Sequence, residues 1–91
     1  MKIRDIPEDK RLMQFAEECA EGAQAALKLI RAYNGEKHLS KPECRLHLIE
    51  EMADIAVCSS VIMTDLDKAA FTEFCDEKLK RWEERINGSK S

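Results

Sequence analysis

Two pairs of acidic residues, each spaced three apart, are the positions in this chain whose types and spacing could do chemistry. Glu18 and Glu21 form the first pair, and Glu51 and Asp54 form the second. Residues three apart share one side of a helix, and a helical projection places Glu18, Glu51 and Asp54 among apolar positions. The same faces offer no lysine or arginine at an adjacent turn. A carboxylate facing a core is costly unless it is paired or bound to a metal, so the pattern indicates a cation site.

Antiparallel packing of the two helices would bring both acidic pairs together. Four oxygen donors in a bundle core suit a hard cation such as Mg²⁺ or Mn²⁺. Without the cation, two carboxylates ~4 Å apart repel by about 4 kcal/mol at an effective dielectric of 20. Acidic pairs at this spacing are also common on solvated helix faces, where they do nothing. Two such pairs, set into apolar arcs on consecutive helices, favour the metal site.

The elements that must position these acids are three long helices. Apolar residues recur with the 3.6-residue period of an amphipathic helix. The start signal Asp5-Ile6-Pro7-Glu8 and the stop signal Asn34-Gly35 predict a first helix over 5–34. Ser40-Lys41-Pro42-Glu43 repeats the start signal for a second helix over 41–63. A third helix is predicted over 65–87. The fold class is therefore all-α, an antiparallel helical bundle in a single domain spanning 1–91.

The second helix is apolar on nearly all sides after Met52, so it must be covered on several sides. A three-helix chain of this length can hardly do this alone, which predicts that a second copy completes the bundle. We expect a homodimer or a dimer of dimers. The third helix carries an apolar stripe expected to face inward: Leu66, Ala70, Phe74, Cys75, Leu79, Trp82 and Ile86.

Composition excludes several other classes of protein. With 15 basic and 18 acidic side chains, the net charge is −3 and no basic stripe is present, so nucleic acid is not expected as a partner. No apolar run reaches the ~20 residues of a membrane span. The first residues do not resemble a signal peptide, so a cytoplasmic protein is expected. The four cysteines include no CxxC pair, and each is expected to pack as a small hydrophobe.

The two acidic segments, EECAE at 17–21 and EMAD at 51–54, resemble the EExxE and ExxD signature of the MazG-like nucleotide pyrophosphohydrolases. The resemblance extends over roughly residues 10 to 86. It implies an all-α enzyme that hydrolyses a nucleoside triphosphate between its α and β phosphates. The products would be a nucleoside monophosphate and pyrophosphate, and the acidic motifs would hold Mg²⁺, with Mn²⁺ as a possible substitute.

The resemblance also implies roles for particular residues. Glu17 would be the catalytic residue that orients or deprotonates the attacking water. Lys78 and Arg81 match the basic pair that reaches substrate phosphates, although a solvated helix face is the alternative interpretation. The implied metal ligands are Glu18, Glu21, Glu51 and Asp54.

This chain departs from the family pattern in two places. The 29 residues between Glu21 and Glu51 predict an extended helix hairpin. Asp76 stands where family members often carry an asparagine, and an acid there would weaken phosphate binding. His47, four residues before Glu51, could join a transition-metal site but is expected to be a partly exposed helix residue.

Two alternative functions remain open from the sequence. One is a non-catalytic helical interaction or regulatory module. The other is a specialised pyrophosphatase for dUTP or phosphoribosyl-ATP, since related all-α enzymes share similar acidic motifs. The chain has no GxxxxGK[ST] loop, which excludes a P-loop mechanism.

Overall fold

A computed structural model describes residues 1–88, and these residues form three α-helices and no strand. A short 3₁₀ turn, Ile3–Asp5, precedes α1 (Glu8–Tyr33), which is followed by α2 (Lys41–Ile62) and α3 (Asp65–Gly88). The predicted all-α class and the number of helices are confirmed. None of the helices in residues 1–88 combines the length and the apolar character that crossing a membrane requires.

The start of α1 differs from the prediction. Asp5 does not cap α1 but belongs to the 3₁₀ turn Ile3–Asp5, where its Oδ2 accepts a hydrogen bond from the backbone N–H of Lys2 at 2.8 Å. Ile6 is extended, with ψ at 130°, because the residue before a proline is disfavoured in the helical region. The helix therefore begins after Pro7, which occupies the N-cap position.

The start of α2 agrees with the prediction. Ser40 is the N-cap residue, and its hydroxyl accepts a hydrogen bond from the backbone N–H of Glu43 at 3.4 Å. Pro42 lies in the first turn, where a missing N–H has no cost. Before it, Gly35 turns the chain out of α1 with a φ of 86°, a left-handed conformation that favours glycine.

Helices α1 and α2 pack against each other as an antiparallel hairpin. A Cβ placed on Gly22 of α1 would lie 2.6 Å from Cδ1 of Ile55 of α2, so the helices approach closely where glycine leaves room. The small core lies towards the turn of the hairpin, where Leu39 and Leu48 pack against the buried residues. The buried residues of the hairpin are Gly22, Ala25, Leu29, Ala32 and Cys44.

Arg11 connects the open end of the hairpin. Its Nη1 donates a hydrogen bond to the carbonyl oxygen of Val61 at 2.7 Å, and its Nε donates to the carbonyl oxygen of Ile6 at 3.0 Å. The first contact satisfies a carbonyl in the last turn of α2, which has no partner within its own helix. One guanidinium thus fastens the amino-terminal segment and the end of α2 to α1.

A capping box begins α3 at the corner between α2 and α3. The Thr64 hydroxyl accepts a hydrogen bond from the Asp67 backbone N–H at 3.1 Å, and the Asp67 carboxylate accepts one from the Thr64 backbone N–H at 3.0 Å. Only Met63 and Thr64 separate the two helices. The helices are therefore separated at Met63, whose backbone is extended with φ at −84° and ψ at 137°, and the capping box orders the first turn of α3.

Within one chain, α3 does not pack along α1 or α2, and its predicted inward stripe is exposed. Leu66 is 84% exposed and Trp82 is 62% exposed. Cys75, expected to be packed, is also exposed. The expectation that this stripe faces inward is wrong for a single chain, because the chain leaves α2 through an extended Met63 and α3 then runs away from the hairpin.

The resulting shape is open for a chain of this length. The radius of gyration is 17.1 Å, whereas a compact domain of this size has about 12 Å. The accessible surface is 7659 Å², whereas a folded monomer of this mass exposes roughly 5,400 Å². The chain therefore exposes much more surface than a self-contained fold.

Candidate metal site

The antiparallel register of α1 and α2 brings the two acidic motifs together. Glu18 from the first motif, and Glu51 and Asp54 from the second, each offer a carboxylate oxygen within 4.8 Å of those of the other two. Glu18 and Glu51 are half-buried, and Asp54 is exposed at the edge. We call these three side chains the acidic cluster. Three of the four ligands predicted from the sequence thus lie at one point.

Two oxygens in the acidic cluster are buried and lack a hydrogen-bond partner among residues 1–88. Glu18 accepts a hydrogen bond through Oε1 from Nε2 of Gln14 at 2.7 Å, but its Oε2 has none. Glu51 pairs through Oε1 with Nε2 of His47 at 3.2 Å, while its Oε2 has none. The Glu51 side chain is only 13% exposed. Buried acceptors without a donor are costly, so these oxygens mark a position that suits a cation.

Burial raises the pKa of the Glu18 carboxyl above its usual value. The hydrogen bond from Gln14 opposes this shift, whereas the charges of Glu21 and Asp54 raise the pKa further. Cys58 faces the same charges: burial, then Glu18 and Asp54, raise the pKa of its thiol. The negative charges here repel one another, and no lysine or arginine among residues 1–88 forms an ion pair with them, so a bound cation would relieve the repulsion.

The donor set fits a hard divalent cation. All three residues of the acidic cluster supply carboxylate oxygens, which Mg²⁺ and Mn²⁺ prefer over sulfur or nitrogen. Glu18, Glu51 and Asp54 are the residues that would hold the ion. His47 contacts Glu51 from the side and can orient that carboxylate, a role that supporting residues play around metal ligands.

Glu21, the fourth predicted ligand, lies at the rim of the acidic cluster. It is exposed, and it acts on Glu18 through its charge. With Glu51, His47 and Lys28 it lines a cleft of about 450 Å³ between the two helices. Glu21 is therefore near the predicted site but outside the group of three.

Glu17 lines a different pocket from Glu21, although the two residues are one helical turn apart on α1. It is exposed and lines a largely apolar groove of about 410 Å³, together with Gln14, Cys58 and the amino-terminal residues Ile3 and Ile6. Glu17, the predicted catalytic residue, therefore lies near Gln14 and Cys58, which are next to the acidic cluster. It is not one of the three carboxylates that converge there.

The predicted phosphate-binding pair lies apart from the acids within one chain. Lys78 and Arg81 belong to α3, where they line a shallow depression with Trp82 and Arg85. Arg81 forms a loose ion pair with Glu77 at 3.6 Å, and both side chains are exposed. Because α3 does not pack on the hairpin, a single chain does not bring these cations to the acidic cluster.

Sequence reasoning missed Gln14, which donates to Glu18. Its spacing of four residues before Glu18 on one helix face could have identified it. The proximity of Cys58 to Asp54 follows from their spacing of four residues on α2, whereas its proximity to Glu18 of α1 required the antiparallel register. The close approach of α1 to α2 at Gly22 was indicated in the sequence, because Gly22 lies within the apolar arc of its helix.

In comparisons with protein-family models, with curated proteins and with solved structures, the chain matches none. The functional interpretation therefore depends on the geometry of the acidic cluster.

The raised pKa of Glu18 predicts that the metal-free protein loses stability as the pH rises. The unfolded chain gives up the Glu18 proton at the usual carboxyl pKa and the folded chain at a higher pH, so the loss accumulates between the two values. Above the pKa of the folded state, Glu18 is charged and is repelled by the charges of Glu21 and Asp54. Urea unfolding without divalent ions, from pH 4.5 to pH 8, measures this. Glu18→Gln is expected to remove this contribution, so a difference between the two proteins that does not change with pH would contradict the prediction.

Proposed function

We propose that the protein is a Mg²⁺-dependent nucleoside triphosphate pyrophosphohydrolase. It would cleave a ribo- or deoxyribonucleoside triphosphate to the monophosphate and pyrophosphate. The observation that carries the proposal is the acidic cluster, in which carboxylates from both sequence motifs converge and two buried oxygens lack a donor. Phosphate chemistry requires mainly positioned charge, which this arrangement can organise.

The acidic residues of α1 and α2 have separate roles in the proposed enzyme. Glu18, Glu51 and Asp54 hold the ion, with Glu21 available at the rim. The bound ion would neutralise phosphate oxygens and increase the acidity of water. Glu17 orients or deprotonates the attacking water, and its exposed position leaves its carboxylate free to do so.

The proposed enzyme acts in the cytoplasm as a homodimer or a dimer of dimers. The exposed stripe of α3 and the large accessible surface support self-association. Lys78 and Arg81 are assigned to the substrate phosphates, and Asp76 on the same helix would weaken that contact.

A second candidate function is a helical interaction module, which the exposed apolar stripe of α3 favours. In that case the acids would bind no ion and no nucleotide would be hydrolysed. A specialised enzyme for dUTP or phosphoribosyl-ATP would share the metal site, so a panel of substrates separates it from a general pyrophosphohydrolase.

Thermal unfolding with Mg²⁺ or Mn²⁺ tests the proposal before any substrate is chosen. An ion present at ten times its Kd stabilises the folded state by about 1.4 kcal/mol, which raises the melting temperature of a small domain by roughly 6 to 11 °C. We expect this rise in the wild-type protein and not in Glu51→Gln.

Glu50→Gln is the matched control, because it removes the same charge one residue away from an exposed position. It should keep the rise in full. An absence of any rise in the wild-type protein would contradict the metal site and favour the interaction module. An equal rise in Glu51→Gln would mean that the ions bind elsewhere.

A further inference from the structure

We propose that Cys19 of α1 and Cys58 of α2 are a reversible oxidation site, at which a disulfide fastens the two helices of the hairpin under oxidising conditions. Both thiols are free and half-buried. The oxidant that the reaction requires is a hydroperoxide. The proposal goes beyond nucleotide hydrolysis, because it concerns a covalent link between the helices and involves neither the ion nor a substrate.

The register of the hairpin places Cys19 opposite Cys58. Gly22 lies against Ile55, since a Cβ on Gly22 would be 2.6 Å from Cδ1 of Ile55. Cys19 is three residues before Gly22, and Cys58 is three residues after Ile55. In an antiparallel pair these two steps run in the same direction and stay on the same helix faces. The two cysteines therefore face each other about one turn from the contact between Gly22 and Ile55.

The surroundings of the two thiols also indicate that they are close. The carboxylates of Glu18 and Asp54 converge in the acidic cluster. Cys19 directly follows Glu18, and Cys58 lies one turn after Asp54 on α2. Burial is the main cause of the raised pKa of the Cys58 thiol, and the charge of Cys19 contributes to it as well. Both thiols thus lie beside the acidic cluster.

The helices approach closely enough for a disulfide. Such a bond requires two Cα atoms about 4.4 to 6.8 Å apart. Helix axes usually lie about 8 to 10 Å apart, and each Cα lies about 2.3 Å from its axis, so Cα atoms on facing sides come within that range. Gly22 keeps the axes close here, because it places no side chain between the helices. Rotation of the two cysteine side chains then brings their sulfur atoms together.

The other two cysteines cannot compete for this link within one chain. Cys44 is buried near the turn of the hairpin, where it packs with Leu29 and Ala32. Cys75 is exposed on α3, which does not pack along α1 or α2. Cys58, by contrast, lines the largely apolar groove of about 410 Å³, through which a small peroxide can reach its sulfur.

The reaction with hydrogen peroxide proceeds in two steps. The first sulfur attacks a peroxide oxygen, so that an S–O bond forms and the O–O bond breaks, and the hydroxide released takes the proton of that thiol and leaves as water. The second sulfur attacks the resulting sulfenic acid, so that the S–S bond forms and the S–O bond breaks. The hydroxide lost in this step takes the second thiol proton. Two thiols are oxidised by two electrons, and one peroxide is reduced to two molecules of water.

The link would strengthen the part of the hairpin that is packed least. The buried core lies towards the turn, whereas the open end depends on the contact of Arg11 with Val61. The disulfide would enclose the 38 residues between Cys19 and Cys58 in a loop, which lowers the conformational entropy of the unfolded chain. It would also hold the neighbouring acids together when no ion is bound.

Peptide mapping of the wild-type protein tests the pairing. The reduced protein is treated with an equimolar amount of hydrogen peroxide, free thiols are blocked, and trypsin is added without reductant. Cleavage after Lys28, Arg45 and Lys68 separates the four cysteines into different peptides. We expect peptide 12–28 joined to peptide 46–68, with the loss of two hydrogen atoms, in a protein that keeps the mass of one chain. Cys19 and Cys58 oxidised separately, or linked to other cysteines or other chains, would overturn the proposal.

The melting temperature tests the fastening. Without divalent ions, the oxidised wild-type protein should melt at least roughly 8 °C above the reduced protein, the lower end of what a native disulfide contributes in a small domain. Dithiothreitol should reverse the rise. Cys58→Ser should abolish both the linked peptides and the rise, whereas Cys75→Ser, the matched control at an exposed position, should keep both. A link without a rise, or a rise that persists in Cys58→Ser, would contradict the role of this pair. Neither measurement uses a nucleotide, so the proposed function and this inference can fail separately.

Discussion

Replacing Glu51 with glutamine is expected to reduce pyrophosphate release from nucleoside triphosphates by at least about a hundredfold, because changing groups that only support metal ligands already costs 10–100-fold. Glu51 is the least exposed member of the acidic cluster, and one of its oxygens has no other partner among residues 1–88. An amide keeps the size of the side chain but loses the charge that holds the ion. Release of pyrophosphate at saturating Mg²⁺ is the measurement.

Glu50→Gln provides the comparison for this loss. Glu50 is adjacent in sequence and exposed, so its substitution should leave turnover within about twofold of wild type, as surface changes usually do. The folded state of Glu51→Gln should be at least as stable as wild type without metal, since one of the repelling charges is gone. Retained turnover in Glu51→Gln, or an equal loss in Glu50→Gln, would contradict the assignment of Glu51.

Replacing Trp82 with glutamate is expected to convert the protein to a monomer. Trp82 is 62% exposed in one chain and lies on the apolar stripe of α3 that a second copy would cover. Buried tryptophans at the centre of an interface commonly contribute 2 kcal/mol or more, so the dimer should dissociate at least about 30-fold more readily. Light scattering over a range of concentrations gives the mass. Circular dichroism should also show lost helix, because an isolated helix of this length is marginal in water.

Ala69→Glu is the matched control for Trp82→Glu. It introduces the same side chain and the same charge on α3, but on the side of the helix away from the apolar stripe. It should remain a dimer with unchanged helix content. A wild-type protein that is already monomeric at micromolar concentration would contradict the role of α3 in association.

The sequence predicted the helices well because their signals are local. The cap at Ser40 and the glycine at Gly35 act on neighbouring backbone groups, and both appear in the structure where the sequence indicated them. The start of α1 was misplaced by three residues for a local reason too: Pro7 constrains the residue before it, which outweighed the capping potential of Asp5. The convergence of Glu18 with Glu51 and Asp54 followed from helix periodicity and an antiparallel hairpin.

What the sequence could not give was the direction of α3. The periodicity of Leu79, Trp82 and Ile86 shows that one side of the helix is apolar, but not which surface covers it. That depends on the two-residue connection at Met63 and Thr64, whose backbone conformation no hydrophobic pattern encodes. The same corner decides that the basic residues of α3 lie apart from the acids of their own chain.

The capping box at Thr64 also bears on how fast and how tightly two chains can meet. A helix hanging from a flexible linker would lose orientational freedom when it docked, and this loss would weaken binding. Here only two residues join α3 to α2, and the capping box orders the first turn of α3, so its orientation is restricted already in the single chain. The loss of orientational entropy of α3 then occurs when the single chain folds and not when a partner binds. Association with a second copy would then join two preorganised surfaces.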